Sequence, residues 1–98
     1  MQHDPVRYVT VIAYDTPSNR RRRKLARLAD DFGDRVQKSV FEAHLTDEQR
    51  QRLVAALHRL VHPSEDAVFV MAACPRCALT IVRLGAMRSS ALPMCWIA

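Results

Sequence analysis

Residues Arg7 to Tyr14, which read RYVTVIAY, form the stretch that decides the fold. The stretch is rich in Val, Ile and Tyr, residue types that favour β-strands. Its two alternating faces are both largely apolar, so we expect this strand to be covered on both sides of a sheet. Ala67 to Ala72, which read AVFVMA, form a second stretch of the same kind. We therefore predict that both are central strands of one sheet.

Two amphipathic helices are predicted between these strands. The first begins at Thr16-Pro17, because proline is favoured in a first helical turn, and it ends near Phe32, just before a glycine. The second follows Thr46, which matches a capping box with Gln49, and it ends at His62-Pro63. Apolar residues recur at helical spacing in each helix and form an inner stripe: Leu25, Leu28, Ala29 and Phe32 in the first, and Leu53, Val54, Leu57, Leu60 and Val61 in the second.

The remaining segments complete a familiar element order. Arg35 to Leu45 is predicted to form a bent or bulged strand pair, and Thr80 to Leu84 a further short strand. The order β-α-β-β-α-β is that of a ferredoxin-like α+β sandwich. We predict a single domain over residues 1–98, with an extension at 1–6 and a C-terminal strand or tail at 86–98 that docks on a partner or a second protomer.

Two helices can cover only one face of such a sheet, and the other face is predicted to be apolar as well. Apolar surface left in water costs about 25 cal/mol per Å². A two-fold homodimer packed sheet on sheet would remove it from water. The alternative is a monomer whose tail, Ala91 to Ala98, folds over that face. We favour the homodimer because this tail is short.

The composition is that of one small globular domain, with 98 residues, 49% of them hydrophobic and 26% charged. No apolar stretch approaches the roughly 20 residues of a membrane span, and no secretion signal precedes the first strand. We therefore expect no membrane association and a cytoplasmic location.

Three cysteines, Cys74, Cys77 and Cys95, are an odd number, which argues against a disulfide framework. Zinc is not expected, because zinc sites usually need four ligands and Cys74-Pro75-Arg76-Cys77 is the only close cysteine pair. A redox motif is also disfavoured, since a parallel strand-to-helix context is missing. We favour a buried or turn-forming cysteine pair.

The positive charge is concentrated in one place. The formal net charge is +5 and the pI is about 9.7, which favours anionic partners and nucleic acid first. Five basic residues stand in a row: Arg20, Arg21, Arg22, Arg23 and Lys24. Arginine binds phosphate bidentately, and a helix start favours anions. The alternative is a solvated helix face. Aromatic residues make up only 6% of the chain, so backbone contact is favoured over base stacking.

Asp15 is the main candidate for chemistry. It follows directly on the first predicted strand. A carboxylate at a strand end is well placed for Mg²⁺, which commonly takes one or two carboxylates with water and phosphate oxygens. A nearby two-fold axis would add a second Asp15 and make a credible metal site for phosphodiester cleavage. The alternative is that Asp15 only caps the following helix.

Three motifs in order resemble the CRISPR-associated protein 2 family. They are Tyr14-Asp15 before a basic helix start, then the stretch from Arg35 to Glu42 (RVQKSVFE), then a Cys-x-x-Cys with Val82-Arg83-Leu84-Gly85 behind it. The similarity spans Arg7 to Gly85, and the second motif is specific. It implies a ferredoxin-like homodimer that takes part in spacer acquisition with the integrase, CRISPR-associated protein 1.

The resemblance also implies roles for individual residues. Asp15 would be the catalytic Mg²⁺ ligand, one from each subunit, in an endonuclease acting on RNA or DNA. Candidate nucleic-acid-binding residues are Tyr14, Arg20, Arg21, Arg22, Arg23, Lys24, Arg35, Lys38 and Phe41. Two hypotheses follow: an adaptor that holds duplex DNA and joins the integrase, and a Mg²⁺-dependent nuclease that could also cut single-stranded RNA. The lack of a general base near Asp15 weakens the second.

Overall fold

The computed structural model describes residues 6–85, so the tail predicted at 86–98 and most of the extension at 1–6 lie outside the described residues. Seven elements follow one another: β1 (Tyr8–Asp15), α1 (Asn19–Phe32), β2 (Gly33–Gln37), β3 (Val40–Leu45), α2 (Asp47–Leu60), β4 (Ala67–Ala73) and α3 (Pro75–Ala78). The strands form one sheet in the order β2-β3-β1-β4, and all neighbours are antiparallel. The predicted ferredoxin-like α+β fold is therefore confirmed. No helix within residues 6–85 is long and apolar enough to cross a membrane.

The core lies between the sheet and the two long helices. Ile12 of β1 lies opposite Phe41 of β3 and Val70 of β4. Ile12 and Phe41 have no exposed surface, and the same is true of Leu25 in α1 and Leu53 in α2. Both helical stripes predicted from apolar spacing face this core, except for Val54 of α2, which is exposed.

The opposite side of the sheet, called the open face below, carries no long helix. β4 lies at the edge of the sheet, so the prediction that it is a central strand was wrong. Its apolar residues on the open face, Phe69 and Met71, are 56% and 51% exposed. Phe69 and Met71 are therefore apolar because they belong to a second surface available for packing, and not because β4 is a central strand.

The two long helices begin at side-chain caps. α2 has the predicted capping box, in which the Thr46 hydroxyl accepts from the Gln49 N–H and the Gln49 carboxamide accepts from the Thr46 N–H. α1 begins at Asn19, later than the predicted start at Thr16-Pro17. Ser18 caps it by accepting a hydrogen bond from the Arg21 N–H at 3.1 Å.

No loop separates α1 from β2, because Gly33 follows Phe32 directly. A Cβ atom at Gly33 would lie 2.3 Å from the Glu42 carbonyl oxygen and 2.6 Å from Ala43 Cβ. This close approach of β2 to β3 requires glycine. A register shift between Arg35 and Gln37 then confirms the predicted bulged strand pair.

The chain after β4 crosses the open face. The predicted strand Thr80 to Leu84 was wrong: α3 and a turn precede an isolated bridge at Arg83. The Arg83 guanidinium donates to the Glu42 carboxylate of β3, and their side chains are only 3% and 4% exposed. A buried ion pair, rather than a strand ladder, therefore holds residues Leu79 to Leu84, called the covering segment below.

Candidate nucleic-acid interface and metal site

Asp15 is the last residue of β1, and it lies opposite Ala67 at the start of β4. It is exposed and lines an open depression of about 380 Å³ together with Tyr14 and Phe69. Its carboxylate has no hydrogen bond or ion pair with any other residue between 6 and 85. The interpretation of Asp15 as a helix cap was wrong, because Ser18 caps α1.

A single chain offers little to a metal ion at this position. Among residues 6–85, no cluster of three or more His, Cys, Asp or Glu side chains could hold one. Mg²⁺ accepts sites with one or two carboxylates when water and phosphate oxygens supply the other ligands. Asp15 therefore fits a Mg²⁺ site only with ligands from outside this chain.

A buried carboxylate fixes the loop after Asp15. The Asp66 side chain has no exposed surface and accepts from Arg21 Nε at 2.7 Å and from the His62 N–H at 2.9 Å. Burial alone would raise the pKa of Asp66, but hydrogen bonds from the Thr16 side chain, the His62 backbone and Arg21 outweigh it and lower that pKa to about 2. Asp66 is therefore ionised at neutral pH and joins the loop after β1 to the chain before β4.

Two of the five consecutive basic residues serve the fold itself. Arg21 binds Glu65 at 2.7 Å as well as Asp66, and the carboxylates of Asp66 and Glu65 raise the pKa of Arg21. Arg22 donates to the Thr16 carbonyl at 2.7 Å and to the Asn19 side chain. Part of each guanidinium is engaged within the chain, which disfavours the predicted contact of Arg21 and Arg22 with nucleic acid.

The other basic side chains of α1 form one exposed stripe. Residues 20, 23, 24 and 27 follow the i, i+3, i+4, i+7 spacing of one helix face. All four are exposed, and none forms an ion pair with a residue between 6 and 85. We call this the basic stripe; its members are Arg20, Arg23, Lys24 and Arg27.

Two further predicted binding residues lie on β2 and the turn after it. Arg35 is exposed, lines a depression of about 450 Å³ with Arg27 and Asp30, and places its guanidinium carbon 5.2 Å from the Phe41 ring centroid. Lys38 is exposed in the β2–β3 turn. The neighbouring Ser39 carbonyl accepts from the Tyr14 N–H at 3.1 Å, which brings this turn to the end of β1 that carries Asp15.

Tyr14 and Phe41 belong to the core. Tyr14 is 6% exposed and Phe41 has no exposed surface, and their rings stack with centroids 6.3 Å apart. The Tyr14 hydroxyl is buried and has no hydrogen-bond partner among the described residues. This burial disfavours direct contact with nucleic acid for both side chains, a role that stays a prediction.

Two relevant residues were absent from the predicted set. Arg27 belongs to the basic stripe, and its spacing of seven residues from Arg20 is a signal that the sequence does contain. Asp66 gives no comparable signal, because its partners Thr16 and Arg21 are distant along the chain.

The family model described as CRISPR associated protein Cas2 matches residues 7–81. This chain belongs to the Cas2 family. The match covers all seven elements, so the resemblance inferred from the sequence motifs is confirmed. A CRISPR-associated role follows from membership of the Cas2 family.

Several curated Cas2 proteins are similar to this chain. The CRISPR-associated endoribonuclease Cas2 of Thermus thermophilus is 48% identical over 75 residues, which are 76% of this chain and 80% of the relative. The CRISPR-associated endoribonuclease Cas2 4 of Rhodospirillum rubrum is 33% identical over 87 residues, which are 89% of this chain and 70% of the relative.

Solved structures share the Cas2 fold of this chain. The crystal structure of a hypothetical protein from Thermus thermophilus matches with a TM-score of 0.75 and 31% identity over 86% of this chain and 98% of that one. Streptococcus pyogenes Cas2 matches in fold with a TM-score of 0.68 at 24% identity, over 79% of this chain and 99% of that one.

Proposed function

We propose that this Cas2 chain acts in CRISPR spacer acquisition as a homodimeric adaptor that binds the backbone of duplex DNA and bridges the CRISPR-associated integrase. The observation that carries the proposal is the basic stripe. Its four cations are exposed on one helix face and have no ion-pair partner among residues 6–85, so they are available to phosphate.

The dimensions of the stripe suit a nucleic-acid strand. Arg20 and Arg27 are seven residues apart, which corresponds to roughly 10 Å along a helix. One strand of B-DNA advances about 3.4 Å along the duplex axis per phosphate, so a stripe parallel to that axis spans about three phosphates. Arg35 lies beside Arg27 and extends the cationic surface onto β2. Such contacts position a duplex without reading its sequence.

Replacing Arg20, Arg23 and Arg27 with Gln tests the adaptor proposal. If each contacts one phosphate, the slope of log K against log salt is expected to flatten by about 3 for each subunit that contacts the duplex, with weaker binding to every duplex sequence. The matched control replaces the exposed arginines Arg52, Arg59 and Arg76 with Gln, which removes the same net charge elsewhere.

Fluorescence anisotropy with a labelled duplex at several salt concentrations measures both slopes. Equal slopes in the stripe variant and the control would show that overall charge, and not the basic stripe, binds DNA. Gel filtration of the protein with the integrase then tests the bridging role, which would be contradicted if the two proteins do not co-elute.

The homodimer is supported by the open face. Phe69 and Met71 on β4 and Val82 and Leu84 in the covering segment are each more than half exposed. Large apolar side chains gathered on one face indicate a packing surface. A second copy of the chain is the occupant we propose, since two-fold packing buries the same residues on both partners.

A second candidate function is a Mg²⁺-dependent endonuclease that acts on RNA or DNA. The supporting observation is that the Asp15 carboxylate is exposed and has no partner among residues 6–85. Two Asp15 carboxylates from a dimer, with phosphate oxygens, would suffice to hold Mg²⁺. The bound metal would supply an activated water and neutralise charge on the phosphate.

The endonuclease candidate is tested by comparing wild type, Asp15→Asn and Asp31→Asn. Asp31 is an exposed carboxylate on α1, so its variant makes the same charge change away from the sheet end. Labelled single-stranded RNA and duplex DNA are incubated with Mg²⁺, and Mn²⁺ binding is measured separately. Loss of cleavage and of metal binding in Asp15→Asn alone is the expected result. Cleavage unaffected by Asp15→Asn would remove the nuclease function.

A further inference from the structure

Cys74 and Cys77 form an exposed pair directly after β4. They lie at the ends of a Cys-Pro-Arg-Cys turn, and both thiols are free. The Cys74 sulfur accepts from the Cys77 N–H at 3.4 Å, and a hydrogen bond joins the two thiols. The expectation of a buried pair was wrong, because both cysteines are exposed. The expectation of a turn-forming pair is confirmed, because Cys74 caps the turn that contains Cys77.

We propose that Cys74 and Cys77 form a reversible dithiol–disulfide couple that exchanges with low-molecular-weight disulfides. Three observations carry this proposal: the spacing, the hydrogen bond from the Cys77 N–H to the Cys74 sulfur, and the exposure of both residues. Cys74 caps the turn in which Cys77 lies. Residues three apart in a turn have Cα atoms less than about 7 Å apart, which matches the roughly 4.4–6.8 Å that a disulfide accepts. The proposal is independent of DNA binding.

The exchange is a balanced two-electron reaction. The Cys74 thiolate attacks one sulfur of the small disulfide, forms a mixed disulfide and releases one small thiolate. Cys77 then loses its proton to solvent and attacks the Cys74 sulfur, which releases the second small thiolate. The protein is oxidised by two electrons, and the small disulfide is reduced to two thiols.

The pKa of Cys74 is lowered and that of Cys77 is raised, which is the difference that attack by Cys74 first requires. Hydrogen bonds from the Cys77 backbone and the Cys77 thiol lower the pKa of Cys74. The hydrogen bond to Cys74 and the negative charge there raise the pKa of Cys77. Cys74 is therefore the better nucleophile, and Cys77 stays a thiol until it resolves the mixed disulfide.

The pair is placed where its oxidation state can affect the open face. Both cysteines line a cavity of about 570 Å³ with Val9, Met71 and Ile81, which gives a small disulfide access to the sulfurs. The covering segment begins immediately after α3. A Cys74–Cys77 disulfide would fix the turn from which this segment departs, beside the surface proposed for the homodimer.

The test uses the full chain with Cys95→Ser, so that only the pair remains. The protein is equilibrated in glutathione redox buffers, quenched with acid and analysed by mass spectrometry after alkylation. We expect a two-state conversion in which both thiols are lost together. Adding Cys77→Ser should stop the reaction at the mixed disulfide, whereas adding Cys74→Ser should slow the first step, because only the Cys74 sulfur accepts a backbone N–H.

Three results would overturn the proposal. The first is a mixed disulfide that persists while both cysteines are present. The second is equal reactivity of the two single-cysteine variants. The third is a tightly bound zinc ion in the purified protein that protects both thiols, which would make the pair a metal-ligand set instead.

Discussion

At the scale of single residues, the loop after Asp15 is held by the buried Asp66 carboxylate and its partners. Arg21 approaches Asp66 through two nitrogens, at 2.7 and 3.2 Å, and Thr16 is only 3% exposed. These contacts connect α1 and the chain before β4 to the loop after Asp15. The backbone next to Asp15 is therefore positioned by residues that do not contact its carboxylate.

Asp66→Asn is expected to lower the urea midpoint of unfolding most at neutral pH and least near pH 2. The folded-state pKa of Asp66 is about 2, below its ordinary value of 3.8. The ionised carboxylate therefore stabilises the fold above about pH 4 and loses that effect as the pH falls towards about 2. Urea titrations of both proteins across this range measure the difference.

The matched control for Asp66 is Glu65→Gln. Glu65 binds the same arginine, but its side chain is 51% exposed, so we expect a small change in midpoint at every pH. A difference between wild type and Asp66→Asn that does not vary with pH would contradict the assigned ionisation.

Arg83→Met is expected to destabilise the chain by about 3 kcal/mol, because it leaves the buried Glu42 carboxylate without its partner. The double variant Glu42→Leu with Arg83→Met is expected to recover most of this loss, since no charge then remains buried. Arg76→Met, at an exposed position nearby, is the control. Urea unfolding measures these four proteins and the single variant Glu42→Leu, and additive single effects in the double variant would argue against a coupled pair.

At the scale of the elements, Ser18→Ala is expected to cost about 1 kcal/mol, because the first turn of α1 loses its side-chain cap. Ser18→Asp should retain most of the stability, since aspartate also caps helices. Thermal unfolding followed by circular dichroism compares the three proteins. Equal stability of Ser18→Ala and wild type would show that the cap contributes little.

Elements that depend on local signals were predictable from the sequence. The Thr46–Gln49 capping box and both apolar stripes involve residues close in the chain, and the structure contains them as predicted apart from the exposed Val54. The start of α1 was misplaced because Ser18 competes with Thr16-Pro17 as a helix start. The strand at Thr80 to Leu84 was wrong because Glu42, 41 residues before Arg83, holds that segment.

The candidate site was predictable in outline only. A run of basic residues indicates charge, but helix geometry separates Arg21 and Arg22 from the basic stripe, and their partners become known only in the folded chain. Tyr14 is buried because it lies on the face of β1 that meets the helices. Because both faces of that strand are apolar, the sequence does not reveal which face this is.

At the scale of the whole molecule, exposed Phe69 and Met71 lead to a prediction about assembly. Wild type is expected to sediment as a dimer at micromolar concentration, and the double variant Phe69→Ser with Met71→Ser as a monomer. Val54→Ser is the control, since Val54 is an exposed apolar residue (43%) on α2, away from the open face. Sedimentation velocity distinguishes the species, and a monomeric wild type would contradict the proposed dimer.

The junction at Gly33 has a mechanical consequence. α1 passes into β2 without an intervening loop, and β2 lies so close to β3 that a single carbon would not fit between them. We therefore expect the helix and the sheet to move as one body, because packed interiors have low compressibility and transmit strain. A polyanion bound along the basic stripe is then expected to leave the orientation of α1 relative to the sheet unchanged. It must adopt the curvature that the protein presents, so the elastic cost of fitting falls on the bound strand.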